Sequence, residues 1–176
     1  LLGACGSDGD GGESADDGSG PATTTEAGHG HESTTAPGAA CADLEPFEDF
    51  GEVLVAVDGT ERCLLLAQDE AQRARGLMEV TDLAGYPGML FVFPGDTSGG
   101  FWMRNTPTPL SIAFLDGTGN VVATTDMAPC EDSPDCPVYE PGATYRYTVE
   151  VPQGELEGLG LTDDAQLTVE SEVDPS

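Results

Sequence analysis

The chain has 176 residues, enough for one domain of ordinary size. It carries 33 Asp plus Glu against 5 cations, all of them arginine, for a formal charge of -28. That balance excludes nucleic-acid backbones as partners, because phosphates need cations, and it excludes charge-driven binding to anionic lipid. Cations, cationic surfaces and neutral ligands remain, and such acidity first of all promotes solubility.

The first five residues, Leu1-Leu2-Gly3-Ala4-Cys5, resemble the lipobox of bacterial lipoproteins. The expectation is that residues 1–5 are the end of a signal peptide, with Cys5 lipidated. A membrane partner held through that lipid anchor follows, on the extracytoplasmic side of the cell membrane. Residues 6–45 are mostly Gly, Ser, Thr, Ala, Asp, Glu and Pro. Such a segment buries too little apolar surface to offset the entropy of ordering, so it reads as a disordered acidic tether. His29 and His31 lie inside it, where two histidines on a loose chain are solvated rather than metal-bound. No metal and no cofactor is expected.

Four further cysteines allow three pairings. Cys130 and Cys136 flank a turn-rich loop, which pairs them and leaves Cys41 with Cys63. Disulfides suit an exported domain. A site of four thiolates lacks the close C-x-x-C pair it would need.

Residues 46–172 read as a single domain. Val53–Val57 is a strand ended by Asp58-Gly59, a strong hairpin signal, and Cys63–Ala67 returns beside it. Asp69 and Gln72 form a capping-box pattern for a short helix to Arg75, stopped by Gly76. Leu77 and Met78 then turn into the core. Gly88–Phe93 is an apolar strand, and Phe101–Arg104 is another, closed by Asn105–Pro109. Leu110, Ile112 and Phe114 alternate with Ser111 and Ala113, as a half-buried strand does. Asp116–Asn120 is a turn and Val121–Thr125 a strand. Tyr145, Tyr147, Val149 and Val151 alternate with Arg146, Thr148 and Glu150, the clearest period of two in the chain. Leu156–Leu161 is one helical turn, Ala165–Glu170 the last strand, and Val173–Ser176 frays. The predicted fold is mostly β: an antiparallel β-sandwich or barrel with one short α-helix.

These segments carry a resemblance. Arg73–Met78, Gly88–Phe93, Trp102-Met103-Arg104-Asn105-Thr106 with Pro109-Leu110, Ala128-Pro129-Cys130, Cys136–Tyr139 and Glu150–Gly154 follow one another in a characteristic order. The series resembles the domain of unknown function 192 family over roughly Val53 to Val169. The resemblance implies a compact, mostly β fold, often exported, and implies no established activity. Two positions depart from the family pattern: Ser111 stands where an acidic residue is usual, and Val80 where a basic one is common.

The chemistry is narrow. With histidines only in the tether, Ser-His-Asp and Cys-His sites are excluded from the domain. Without lysine there is no Schiff base and no Walker-type loop. Trp102 and Met103 can line an apolar slot whose polar groups come from Arg104, Asn105 and Thr106. The alternative puts Trp102 in the core and uses Asn105-Thr106 to satisfy turn backbone. Arg73 and Arg75 are further ligand-binding candidates, or pair with a carboxylate such as Asp126 to brace the helix. Tyr139 lies just past the cysteine loop. Asp126 and Glu150, each placed at a strand edge, could form a hydrolytic carboxylate pair. Two functions compete: a lipid-anchored, non-catalytic envelope module that binds a glycan, a small molecule or an envelope protein, and an envelope hydrolase acting on glycan or cell-wall material.

Overall fold

The computed structural model describes residues 40–47 and 49–173. Cys5, the tether as far as residue 39, His29, His31 and residues 174–176 lie outside the described residues. Among the described residues, no helix is long and apolar enough to cross a membrane.

The fold is mostly β. In chain order the elements are β1 (Gly51–Val57), β2 (Thr60–Ala67), α1 (Glu70–Arg75), β3 (Met89–Thr97), β4 (Phe101–Trp102), β5 (Leu110–Leu115), β6 (Val121–Met127), β7 (Val138–Tyr139), β8 (Tyr145–Pro152), α2 (Leu156–Leu159) and β9 (Leu167–Val173). Seven strands form one sheet in the order β6-β5-β8-β3-β2-β1-β9, and β4 pairs with β7 in a separate ribbon.

The β1–β2 hairpin turns at Asp58-Gly59, both at positive φ (47° and 79°), the geometry whose twist matches the flanking strands. Asp69 caps α1 as the sequence predicts. Its carboxylate accepts from the Gln72 amide at 2.8 Å, and the Gln72 side chain accepts from the Asp69 amide at 3.3 Å.

Three expectations need correcting. The sheet is mixed, because β2 and β3 run parallel. A parallel pair needs a crossover of a dozen or more residues, and α1 with the loop to Gly88 supplies it. Next, β5 is buried along its whole length rather than on one face. It lies between β6 and β8, and hydrophobic clusters cover both of its sides. Finally, the Trp102 strand stops after two residues. Arg104 and Thr106 touch Cys130 only through isolated bridges.

One cluster joins Leu65, Met89, Phe91, Ile112, Phe114 and Tyr145 on one face of the sheet. The other joins Val53, Val55, Leu90, Leu115, Val149 and Val151 on the opposite face, covered by Leu159 and Leu161. The sheet curls until its edges touch at one corner, where Asn120 bridges Gln166, but it does not close into a barrel. Cys41 is joined to Cys63, and Cys130 to Cys136. Cys41 is buried, and Ala40 and Leu44 pack beside it, so residues 40–45 that composition assigns to the tether lie on the body.

Candidate functional site

A cleft of about 320 Å³ opens between α1 and the ribbon of β4 and β7. Its walls are aromatic: Phe91, Phe93, Phe101, Trp102 and Tyr145. Phe93 and Phe101 each stand near edge-on to a neighbouring ring, Phe93 to Tyr145 at 5.3 Å and Phe101 to Phe91 at 5.3 Å. The Tyr145 hydroxyl donates to the Gly99 carbonyl at 2.7 Å, and burial pushes its pKa up to about 12. Trp102 is 50 % exposed, so the core alternative for it does not hold, while its neighbour Met103 is buried. Gly100 suits the close approach of the paired strand: a Cβ would lie 2.5 Å from Val138 Cγ1 and 3.0 Å from the Tyr139 carbonyl.

Glu150 lies against this cleft. It stands inside β8 between Met89 of β3 and Ile112 of β5, not at a strand edge as expected. Its side chain is 4 % exposed. Among the described residues it has no salt-bridge partner, and desolvation alone raises its pKa from 4.5 to about 8. It is therefore a neutral carboxylic acid near pH 7. Two residues back on the same face, the Thr148 hydroxyl is buried with no hydrogen-bond partner among the described residues. A buried polar group without a partner is costly, which makes the Thr148 hydroxyl beside a desolvated acid informative.

The mouth of the cleft carries charge. Arg73 donates to the carbonyls of Gln68 and Val92, the latter at 3.0 Å, and lies over the Phe93 ring at 5.3 Å. Arg75 pairs with Asp49 and lies over Phe50 at 5.5 Å. Arg75 thus makes the expected pair with a carboxylate, but its partner is Asp49 and not Asp126. Glu70 also lines the mouth.

Of the sequence candidates, the structure brings together Arg73, Arg75, Trp102 and Thr106. Arg104 turns away. Its guanidinium stacks on the Trp102 ring at 5.0 Å, and its Nε is 3.5 Å from Asp132, too far for a hydrogen bond. Asn105 serves a turn: its φ is +53° and its carbonyl accepts from the Glu79 amide at 2.7 Å. The Tyr139 hydroxyl accepts from the Ala128 amide at 3.0 Å, away from the cleft. Asp126 accepts from the Ser111 hydroxyl, and that bond, followed by one from Gln153, lowers its pKa. Ser111 in turn accepts from the Gly154 amide at 3.0 Å.

The carboxylate pair also fails on register. Asp126 lies opposite Ser111, which lies opposite Val151, whereas Glu150 lies opposite Ile112. Adjacent positions in a strand point to opposite faces, so Asp126 and Glu150 are on opposite sides of the sheet.

Sequence reasoning missed the cleft roles of Phe93, Phe101 and Tyr145, and placed Glu150 at a strand edge. A second acidic group, Glu52, is buried against the Tyr86 hydroxyl. It lies close to the Cys41 and Cys63 sulfurs, but both are consumed in the disulfide and are not thiolate ligands.

The family model of DUF192, Uncharacterized ACR, matches residues 53–169, and the chain belongs to that family. Two crystal structures are similar. One is of a protein of unknown function from Novosphingobium aromaticivorans DSM 12444, at 26% identity and a TM-score of 0.62, covering 76% of this chain and 98% of that one. The other is of a candidate transcription regulator from Sinorhizobium meliloti 1021, at 25% identity and a TM-score of 0.59, covering 70% of this chain and 98% of that one. No curated protein matches the chain.

Proposed function

We propose that the protein is a non-catalytic binding module of the cell envelope, anchored by a lipid on Cys5, whose cleft between α1 and Trp102 takes a small ligand. One observation carries the binding reading: an acid, Glu150, is buried without a salt-bridge partner against an aromatic-walled cleft. Small-ligand sites combine mostly apolar walls with a few convergent polar groups, and volumes start at about 300 Å³. The envelope address is supported by the run Leu1–Cys5 and by two disulfides, which persist in oxidising compartments. Carboxylate-pair hydrolysis is not favoured, because Asp126 and Glu150 face opposite sides of the sheet. The regulator description of the Sinorhizobium protein is not carried over, since 33 acidic residues against 5 arginines oppose DNA phosphates.

Thermal unfolding of the full chain with saccharides, cell-wall fragments, amines and carboxylates tests the binding reading. One class is expected to raise the melting temperature, and Trp102→Ala to reduce the rise. No rise with any class overturns it. Radiolabelled palmitate supplied to cells making the full chain tests the anchor, with label expected on the wild type and absent from Cys5→Ser.

A further inference from the structure

We propose that the ligand of this cleft is a small organic ammonium ion, received between the aromatic walls and the Glu150 carboxylate; this rests on the binding reading above. A ring face attracts a cation through its quadrupole, most strongly when water is excluded. Five aromatic side chains line the cleft, and Arg73 already places a guanidinium over one of them at 5.3 Å. Glu150 supplies the opposite charge, nine-tenths buried and with no salt-bridge partner among the described residues.

The other ligand classes fit less well. Calcium or magnesium needs several oxygen ligands, and the buried part of the cleft offers one carboxyl. An anion would meet Glu150, while the two arginines at the mouth are committed to backbone carbonyls and to Asp49. A formal charge of -28 draws cations towards the molecule.

Binding then moves one proton. The free cleft holds Glu150 as the acid; the cation replaces its proton, which leaves to solvent as the carboxylate forms. The titratable and charged groups that line the cleft with it are Tyr145 on its own strand and Glu70, Arg73 and Arg75 on α1. Beside it, β3 and β5 present Met89 and Ile112, which do not titrate.

Choline and its uncharged carbon isostere, 3,3-dimethyl-1-butanol, separate charge from shape. Calorimetric titration of the full chain near pH 7, in two buffers of different ionisation enthalpy, is expected to show choline bound at least about tenfold more tightly than the isostere. Release of close to one proton per choline is also expected. Glu150→Gln keeps the shape of the side chain and is expected to lose both the proton release and the preference. Trp102→Ala, at a half-exposed position, is expected to weaken choline several-fold. Equal binding of the two probes overturns the proposal, as does choline binding without proton release. If choline fails while acetate or a saccharide raises the melting temperature, the cation is wrong and the binding reading stands. If no probe binds, both fall.

Discussion

The two faces of β8 differ more than their sequences suggest. On one side Val149 and Val151 are buried in a wholly apolar cluster under Leu159 and Leu161. On the other, Thr148 and Glu150 are just as buried, yet among the described residues the Thr148 hydroxyl has no hydrogen-bond partner and Glu150 no salt bridge, and the nearby aromatic rings leave an open cleft. The apolar face gains stability from every methylene it hides. The cleft face gives some of that up, since a fully apolar core would not carry a desolvated acid. A fold that keeps such an acid next to open space has a use for the space.

The largest expected effect lies on the closed face. Leu90→Ala removes a fully buried side chain and is expected to cost about 2–5 kcal/mol in urea unfolding. Phe93→Ala on the cleft wall, only partly buried, is expected to cost less, and equal losses would erase the contrast between the faces. Next comes the Cys41–Cys63 staple, which closes a loop of sequence separation 22. Replacing both cysteines by alanine is expected to cost about 3 kcal/mol, read as a lower urea midpoint with a somewhat steeper slope, because the uncrosslinked chain unfolds to a more open state.

Glu150 sharpens the comparison through pH. Its pKa is about 8 folded against 4.5 ordinarily, so between those values the folded state holds a proton that the unfolded state has lost. Stability from this group is therefore full below about pH 4.5 and is lost as pH rises towards 8, at up to about 1.4 kcal/mol per pH unit. Glu150→Gln is expected to remove that slope, and parallel pH profiles for the two proteins would show that the acid is not buried. The smallest effect belongs to the surface. Asp49→Asn breaks an ion pair to Arg75 whose side chains are 45% and 69% exposed, and is expected to change stability by less than about 1 kcal/mol.

Local signals in the sequence were legible where the structure depends on neighbours along the chain. Asp58-Gly59 predicts its hairpin, Asp69 with Gln72 predicts its cap, and the short loop between Cys130 and Cys136 predicts their bond. The parallel joining of β2 to β3 was not legible, because nothing in either strand names its partner. Nor was the burial of β5, where alternation of Leu110, Ile112 and Phe114 with smaller residues marks side-chain size and not exposure to water. The site was hidden for a related reason. A polar residue alternating with apolar ones looks the same whether it faces solvent or a cleft, so the alternation of Thr148 and Glu150 does not reveal their burial. Tyr145 was misplaced because the register shifts between Val92 and Thr97, and the residue opposite Thr97 joins the cleft-side cluster.

The bond from Cys41 to Cys63 also decides how the body would respond to a pull. All of β1 lies between those two cysteines in sequence. Tension arriving from ahead of Cys41 would pass through the sulfurs into β2, inside the sheet, and β1 would carry none of it. Unzipping of β1 from its neighbours by such a load requires the sulfur link to be cut first, so a thiol reductant lowers the load that the body withstands from that side.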